Sequence, residues 1–323
     1  MTIISLFIFG NIACKEQPQN MPEKITIAYP LKDPLYSLPY IALEKGFFAD
    51  EGLNVSLQDH EYGKLALQSL IDGKADLAIS AQTPFMFAIS AGKKASMIAV
   101  IASSGKSTGI IARKDRGIVS PEDLRGKRIG VTLGTVGEFS MDLFFSVRGI
   151  TRNEMVVVDL KPDQIIDAML NDKIDAAAIW HPVLIQLQQK LGNNGVLFYD
   201  MNIIKDLACL SASQEIIGKA PEALKKILKA LIRAKEFVKK NPDEFYKLES
   251  EHIQMDINML KQMLNVSYFS ISLEQSLIVE LEDQTRWAIK SGLTSRPDMP
   301  NYYDFIYADA LKSVKPEAVS LMR

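Results

Sequence analysis

Cysteine and histidine are scarce in this chain: two Cys (14 and 209) and three His (60, 181 and 252) in 323 residues. All five lie far apart, so no metal-ligand cluster of recognisable spacing can be read and no cofactor is expected. An excess of one charge is also missing. Lys and Arg number 37 against 39 Asp and Glu, a formal charge of −2. Without a basic surplus nucleic acid is not the expected partner, because a phosphate backbone is held by positive charge. Gly (18) and Pro (14) are too few for a collagen-like or low-complexity chain. What remains is the balance of a soluble globular protein, 47% hydrophobic and 24% charged, long enough for two domains.

The apolar run Thr2–Ala13 is too short to span a bilayer, which takes about 20 residues. Its length, and the small Ala13 that closes it, fit the core of a secretion signal, a buried first strand being the alternative. Ile12-Ala13-Cys14 resembles the lipobox of bacterial lipoproteins, in which the cysteine becomes the lipidated first residue. Residues 1–23 are therefore expected to be a leader and tether, with lipidation at Cys14, export, and a lipid anchor on the outer face of the membrane or in the periplasm. Cys209, in Leu207-Ala-Cys-Leu210, reads as a small core residue.

From Lys24 short apolar runs alternate with helical patterns. Ile25–Tyr29, Leu53–Leu57, Ala75–Ile79 and Met97–Ile101 read as strands, with helices over Pro39–Asp50, Tyr62–Asp72 and Thr83–Ala91. A second series follows: strands at Arg128–Val131, Met155–Leu160, Asp175–Ile179 and Val196–Tyr199, helices at Glu138–Arg148, Pro162–Asn171 and Val183–Leu191. This is the α/β signature of open, mainly parallel sheets. Leu70–Ile79 echoes Leu170–Ile179, which supports two similar lobes. After Leu207 the pattern becomes almost all helical, with an amphipathic Pro221–Lys240 read as a solvated surface helix and another helix over Leu273–Ser291. The aromatic Asn301–Tyr307 reads as a packing strap.

Three catalytic or nucleotide motifs are mimicked and rejected. Gly105-Lys-Ser-Thr-Gly109 matches a nucleophile elbow, but Ile110-Ile-Ala112 continues as strand where a helix is needed. The same glycine lacks the P-loop partner five residues earlier, where Val100 stands. Thr132-Leu-Gly-Thr-Val-Gly137 lacks the first glycine of a dinucleotide loop. What survives there is a helix amino terminus: the amides of Thr135, Val136 and Gly137, with the Thr135 hydroxyl, offer donors to an anion. Glu138 next to it argues against a highly charged anion, or else serves as a first-turn residue that stabilises the helix.

Ile41-Ala-Leu-Glu-Lys-Gly-Phe-Phe-Ala-Asp-Glu-Gly-Leu-Asn-Val55 resembles the first-lobe signature of NMT1/THI5-like proteins, the periplasmic sulfonate, taurine, nitrate and thiamine-precursor binders of ABC importers. Gly73–Ile79, Asp123–Val131 and Asp175–Pro182 resemble further blocks in the same order. The resemblance implies a type II periplasmic-binding-protein fold, two α/β lobes with a hinge crossed twice: residues 24–105 plus 206–323 as lobe 1 and 106–205 as lobe 2. It implies a monomer with no chemistry of its own, which traps a small anionic or heterocyclic solute and presents it to a permease. The enzymatic alternative, thiamine-pyrimidine synthesis on the same fold, uses a Cys-rich segment that this chain lacks.

By that resemblance Tyr36 and Ser37 border the ligand, with a rim position open for Tyr36. Gln82 and Thr83 donate to it, Thr83 also being a candidate helix cap. Trp180 stacks on the ligand or packs the core. His181 stands where relatives often carry Asp or Glu, which makes taurine-like zwitterions a poor match. If His181 lines the cleft, anion affinity should rise below its ordinary pKa of about 6.5.

Overall fold

The computed structural model describes residues 24–199, 205–294 and 296–322. The leader expected over 1–23, with Cys14, lies outside the described residues.

The first sheet begins with β1 (Lys24–Pro30), β2 (Asn54–His60), β3 (Leu77–Ser80) and β4 (Ser96–Ser104). Between them run α1 (Leu38–Glu44), α2 (Phe47–Asp50), α3 (Gly63–Ile71) and α4 (Gln82–Ser90). The single helix expected over Pro39–Asp50 is thus two. Gly46 sits between them at φ +70°, a left-handed conformation that breaks the hydrogen-bond ladder and costs glycine little.

The chain then crosses to a second sheet. Its strands are β5 (Thr108–Arg113), β6 (Arg128–Val131), β7 (Val156–Asp159), β8 (Ala176–Trp180) and β9 (Gly195–Phe198). They alternate with α5 (Val136–Ser146), α6 (Pro162–Leu170) and α7 (Val183–Leu191). Back in the first sheet come β10 (Asp206–Ala212), then α8 (Gln214–Lys219), α9 (Pro221–Lys240), α10 (Pro242–Ile253) and α11 (Ile257–Leu264). Strand β11 (Ser267–Ser272), α12 (Gln275–Lys290) and α13 (Asp309–Val314) complete the fold.

The strand orders are β11-β4-β10-β3-β1-β2 and β7-β6-β8-β5-β9. Most strands of each sheet run parallel, but β10 is antiparallel to β3 and β4, and β5 is antiparallel to β8 and β9. The crossings explain this. A chain that leaves one sheet at its carboxyl edge meets the facing edge of the other, so β5 and β10 start where their neighbours end.

Two strands correct the expectation of an all-helical carboxyl third. In β10 every residue is buried, so Asp-Leu-Ala-Cys-Leu-Ser-Ala shows no period that separates strand from helix. Strand β11 is a short edge strand beside β4. Cys209 is fully buried in β10, where burial raises its thiol pKa well above the usual range. Helix α9 buries Leu224, Ile227, Leu228, Leu231 and Val238 on the first sheet's core and turns lysines outward. The aromatic strap behaves as read: Tyr302 is buried, and Tyr307 N–H donates to Met97 O.

Candidate functional site: a cleft between the two sheets

The carboxyl edges of the parallel strands in both sheets face a common hollow of about 540 Å³, the edge at which open α/β sheets take ligands. From the first sheet come the segment after β1 (Pro30 to Tyr36), the turn after β2 (Asp59 to Lys64), and Ala81 and Pro84 at α4. The second sheet contributes Thr135 and Val136 at the start of α5, Pro162, Asp163 and Ile166 on α6, and Trp180, Pro182, Val183 and Gln186. Ser107 and Asp206 enter from the two crossings.

Of the residues expected at the site, Tyr36, Thr135, Val136 and Trp180 line the hollow. Tyr36 is buried, and the Trp180 ring lies 6.4 Å from that of Tyr62 across the cleft. The other five lie behind this wall. Ser37 Oγ donates to Pro34 O. The fully buried Gln82 donates from Nε2 to Lys205 O at 2.7 Å and accepts from Leu207 N–H at 3.0 Å, so its amide ties down the returning chain. Thr83 is fully buried with its hydroxyl unpaired. At Gly137 a Cβ would come within 3.1 Å of Ala178 O and 3.5 Å of the Trp180 ring, so the missing side chain lets α5 pack on β8. His181 N–H donates to Ser107 O, its Nδ1 is unpaired, and burial pushes the imidazole pKa down to about 4.

Of the donors proposed for an anion the Thr135 hydroxyl is spent, and so are the two amides that precede them in the loop. Thr135 Oγ donates to Thr132 O, Leu133 N–H to Asp159 Oδ1, and Gly134 N–H to Glu138 Oε2. Glu138 takes the helix-stabilising role of its two readings and is neutralised by Arg152 at 2.7 Å. Lys64, from α3, gives its ammonium to Leu133 O at 2.9 Å, a bond from one sheet's helices to the other's loop. A second bridge joins α12 to α5. Trp287 Nε1 donates to Asp142 Oδ2, which also takes Arg152, and the Trp287 ring packs on Phe87 and Phe139.

Many lining residues were not anticipated, and the charged ones among them are mostly acidic. Asp33, Asp59, Glu61, Asp163 and Asp206 line the hollow against Lys32 and Lys64 as its basic side chains. Asp59, Glu61 and Asp163 are exposed at the rim, Asp33 is half-buried, and Asp206 is 6% exposed. Asp206 Oδ2 accepts from the hydroxyls of Ser107 and Thr108, which fastens the start of β10 to the start of β5. Burial pushes the Asp33 carboxyl up to about 7, with the Leu35 amide opposing and the Asp206 charge adding to the rise. Burial, then the charges of Asp33 and Asp206, raise the Tyr36 hydroxyl well above its usual range. The turn after β2 and the start of α6 stand at strand carboxyl ends, so the edge at which open sheets take ligands is the signal that could have found them.

Residues 36–245 match the model of the family described as NMT1/THI5 like. Over 223 residues, 68% of either chain, the sequence is 28% identical to a protein of Brucella abortus (strain 2308) provisionally named a binding protein. It is 26% identical over 270 residues to 4-amino-5-hydroxymethyl-2-methylpyrimidine phosphate synthase of Candida albicans (strain WO-1), covering 77% of this chain and 78% of that one. Among solved structures, the alkanesulfonate-binding protein SsuA from Xanthomonas axonopodis pv. citri bound to MOPS superposes with a TM-score of 0.77 at 16% identity, over 89% of this chain and 99% of that one. That likeness is one of fold, the two-lobe periplasmic-binding-protein architecture.

Proposed function

The chain belongs to the NMT1/THI5-like family, and on that premise we propose that it is the solute-binding component of an ABC importer. One observation carries the reading: a hollow of about 540 Å³ with walls from both sheets, at the edge where such sheets take ligands. Residues 24–105 with 206–323 form one lobe and 106–205 the other, and they swing about the two crossings to trap a small molecule. Tyr36, Thr135, Val136 and Trp180 touch it. Ser37, Gln82, Thr83, Gly137 and His181 stand behind them. Of the two solute classes, anionic and heterocyclic, the lining favours the heterocycle, since Tyr36, Tyr62 and Trp180 offer ring faces and the acidic side chains repel an anion. The protein is exported, anchored through a lipid on Cys14, and acts as a monomer that hands its solute to a permease. Fatty-acid labelling that persists in Cys14→Ala would remove the anchor from this reading.

The synthase relative keeps an enzymatic reading in view. Against it stands the cysteine inventory, Cys14 and a Cys209 sealed in the core. A thermal-shift panel on the full chain separates the two, with aminopyrimidines, flavins, aromatic acids, taurine, nitrate and alkanesulfonates as probes. A ligand at a hundred times its Kd adds about 2.7 kcal/mol of stability. A compound that shifts the melting point and is recovered unchanged supports a binder. One that is consumed supports the enzyme.

A further inference from the structure

We propose that the cleft selects an organic cation, a protonated amine, amidine or nitrogen heterocycle, whose charged end sits between Asp33 and Asp206. The inference rests on the reading of the cleft as a solute site and names the class of solute. Three observations converge on it. The lining holds five acidic side chains against two basic ones, and no arginine among the described residues. The two acids set deepest, Asp33 and Asp206, come from the loop after β1 and from the second crossing, line the same hollow, and lie near enough for the charge of Asp206 to act on Asp33. Of the two lysines in the lining, Lys64 is engaged by Leu133 O, and the Thr135 hydroxyl is turned to Thr132 O.

Electrostatics at such a site is decided by sign. An anion entering would stack its charge against carboxylates in a partly dry hollow, where repulsion is screened far less than in water. A cation instead pairs with carboxylates already partly removed from water. Its body meets the faces of Tyr36, Tyr62 and Trp180, which also attract positive charge. A metal ion fits less well, because no group of three or more His, Cys, Asp or Glu among the described residues could hold one. Since Asp206 also fastens β10 to β5 through Ser107 and Thr108, a charge seated on it touches the segment about which the lobes move.

The test uses the full chain with three probes of one shape, benzamidine, benzamide and benzenesulfonate, read by tryptophan fluorescence and by calorimetry. Benzamidine should bind more tightly than benzamide, and benzenesulfonate least. Asp33→Asn should weaken benzamidine about thirtyfold or more while moving benzamide less than about threefold. Asp206→Asn should do the same, and because it also loosens a crossing, its melting point is measured beside it. Benzenesulfonate binding more tightly than benzamidine, or benzamidine indifferent to Asp33→Asn, overturns the proposal and leaves the solute site standing. Silence from all three probes and from the wider thermal-shift panel overturns the solute site and the proposal with it.

Discussion

The indole N–H of Trp287 donates to Asp142 Oδ2 at 3.0 Å, joining α12, packed on the first sheet's helices, to α5 of the second. Asp142 also takes Arg152 at 2.8 Å, so its charge stays paired if the indole is lost. Trp287→Phe keeps a smaller ring against Phe87 and Phe139 and removes the donor. The loss should therefore be that of an ordinary net hydrogen bond, about 1 kcal/mol, below the range for a charge left unpaired. Small-angle scattering on the unliganded variant should show a larger radius of gyration, and benzamidine should bind up to about fivefold more weakly. With Trp287 gone, Trp180 is the remaining tryptophan, and its fluorescence reports the cleft without background. An unchanged radius would make the bridge a packing detail.

His181 makes no pH switch. Burial lowers its pKa to about 4, so the folded protein keeps the ring neutral where an unfolded chain would protonate it near 6.5. Between those values the unfolded state binds more protons. The stability this gives is complete above pH 6.5 and is lost as pH falls toward 4. The imidazole resonance should titrate below pH 5, and benzenesulfonate affinity should show no rise between pH 6.5 and 5.5. A titration near 6.5 would place the ring in water.

Why Trp180 and His181 part company explains what the sequence could and could not reveal. Both stand at the end of β8, and the edge rule brings both to the cleft. Successive residues leaving a strand point to opposite sides, so one faces the hollow and its neighbour the core. Tyr36 and Ser37 divide for another reason: they close a 3-10 turn, Pro34–Tyr36, and the Ser37 hydroxyl folds back onto Pro34 O. The helices α6 and α9, with apolar positions at three- and four-residue spacing and Pro at their first turns, were legible almost to the residue. Strand β10 was not, because burial on both faces erases its period. Nor was the acidic lining, since Asp33, Glu61, Asp163 and Asp206 are far apart in sequence and are gathered only by the fold.

Gln82 is expected to matter for folding more than for recognition. Gln82→Leu leaves Lys205 O and Leu207 N–H without the amide that pairs both, at a site with no exposed surface. Orphaning a buried amide and a part-buried carbonyl costs about 2–4 kcal/mol in total. The melting point should drop by several degrees, while the ratio of benzamidine to benzamide affinity stays within about twofold. A changed ratio at unchanged stability would bring Gln82 back into the binding surface.

Asp33 should give cation binding a pH dependence opposite in sign to the one first expected of His181. Burial holds its carboxyl protonated up to about pH 7, with the charge of Asp206 adding to the rise. The groups around it are Asp206, the buried Glu249 and Tyr36, with Lys32, Asp59 and His60 along the same wall. Glu249 is itself pushed up to about 8 by burial, so near neutrality it adds little negative charge. A cation that pairs with the ionised Asp33 must displace its proton. Benzamidine affinity should therefore climb up to about tenfold per pH unit from pH 5.5 toward 7 and level off above. Asp33→Asn cannot ionise and should flatten that slope. A wild-type affinity that falls as pH rises would show the cleft meeting its solute with acceptors that are protonated, and would shift the search to neutral ring donors.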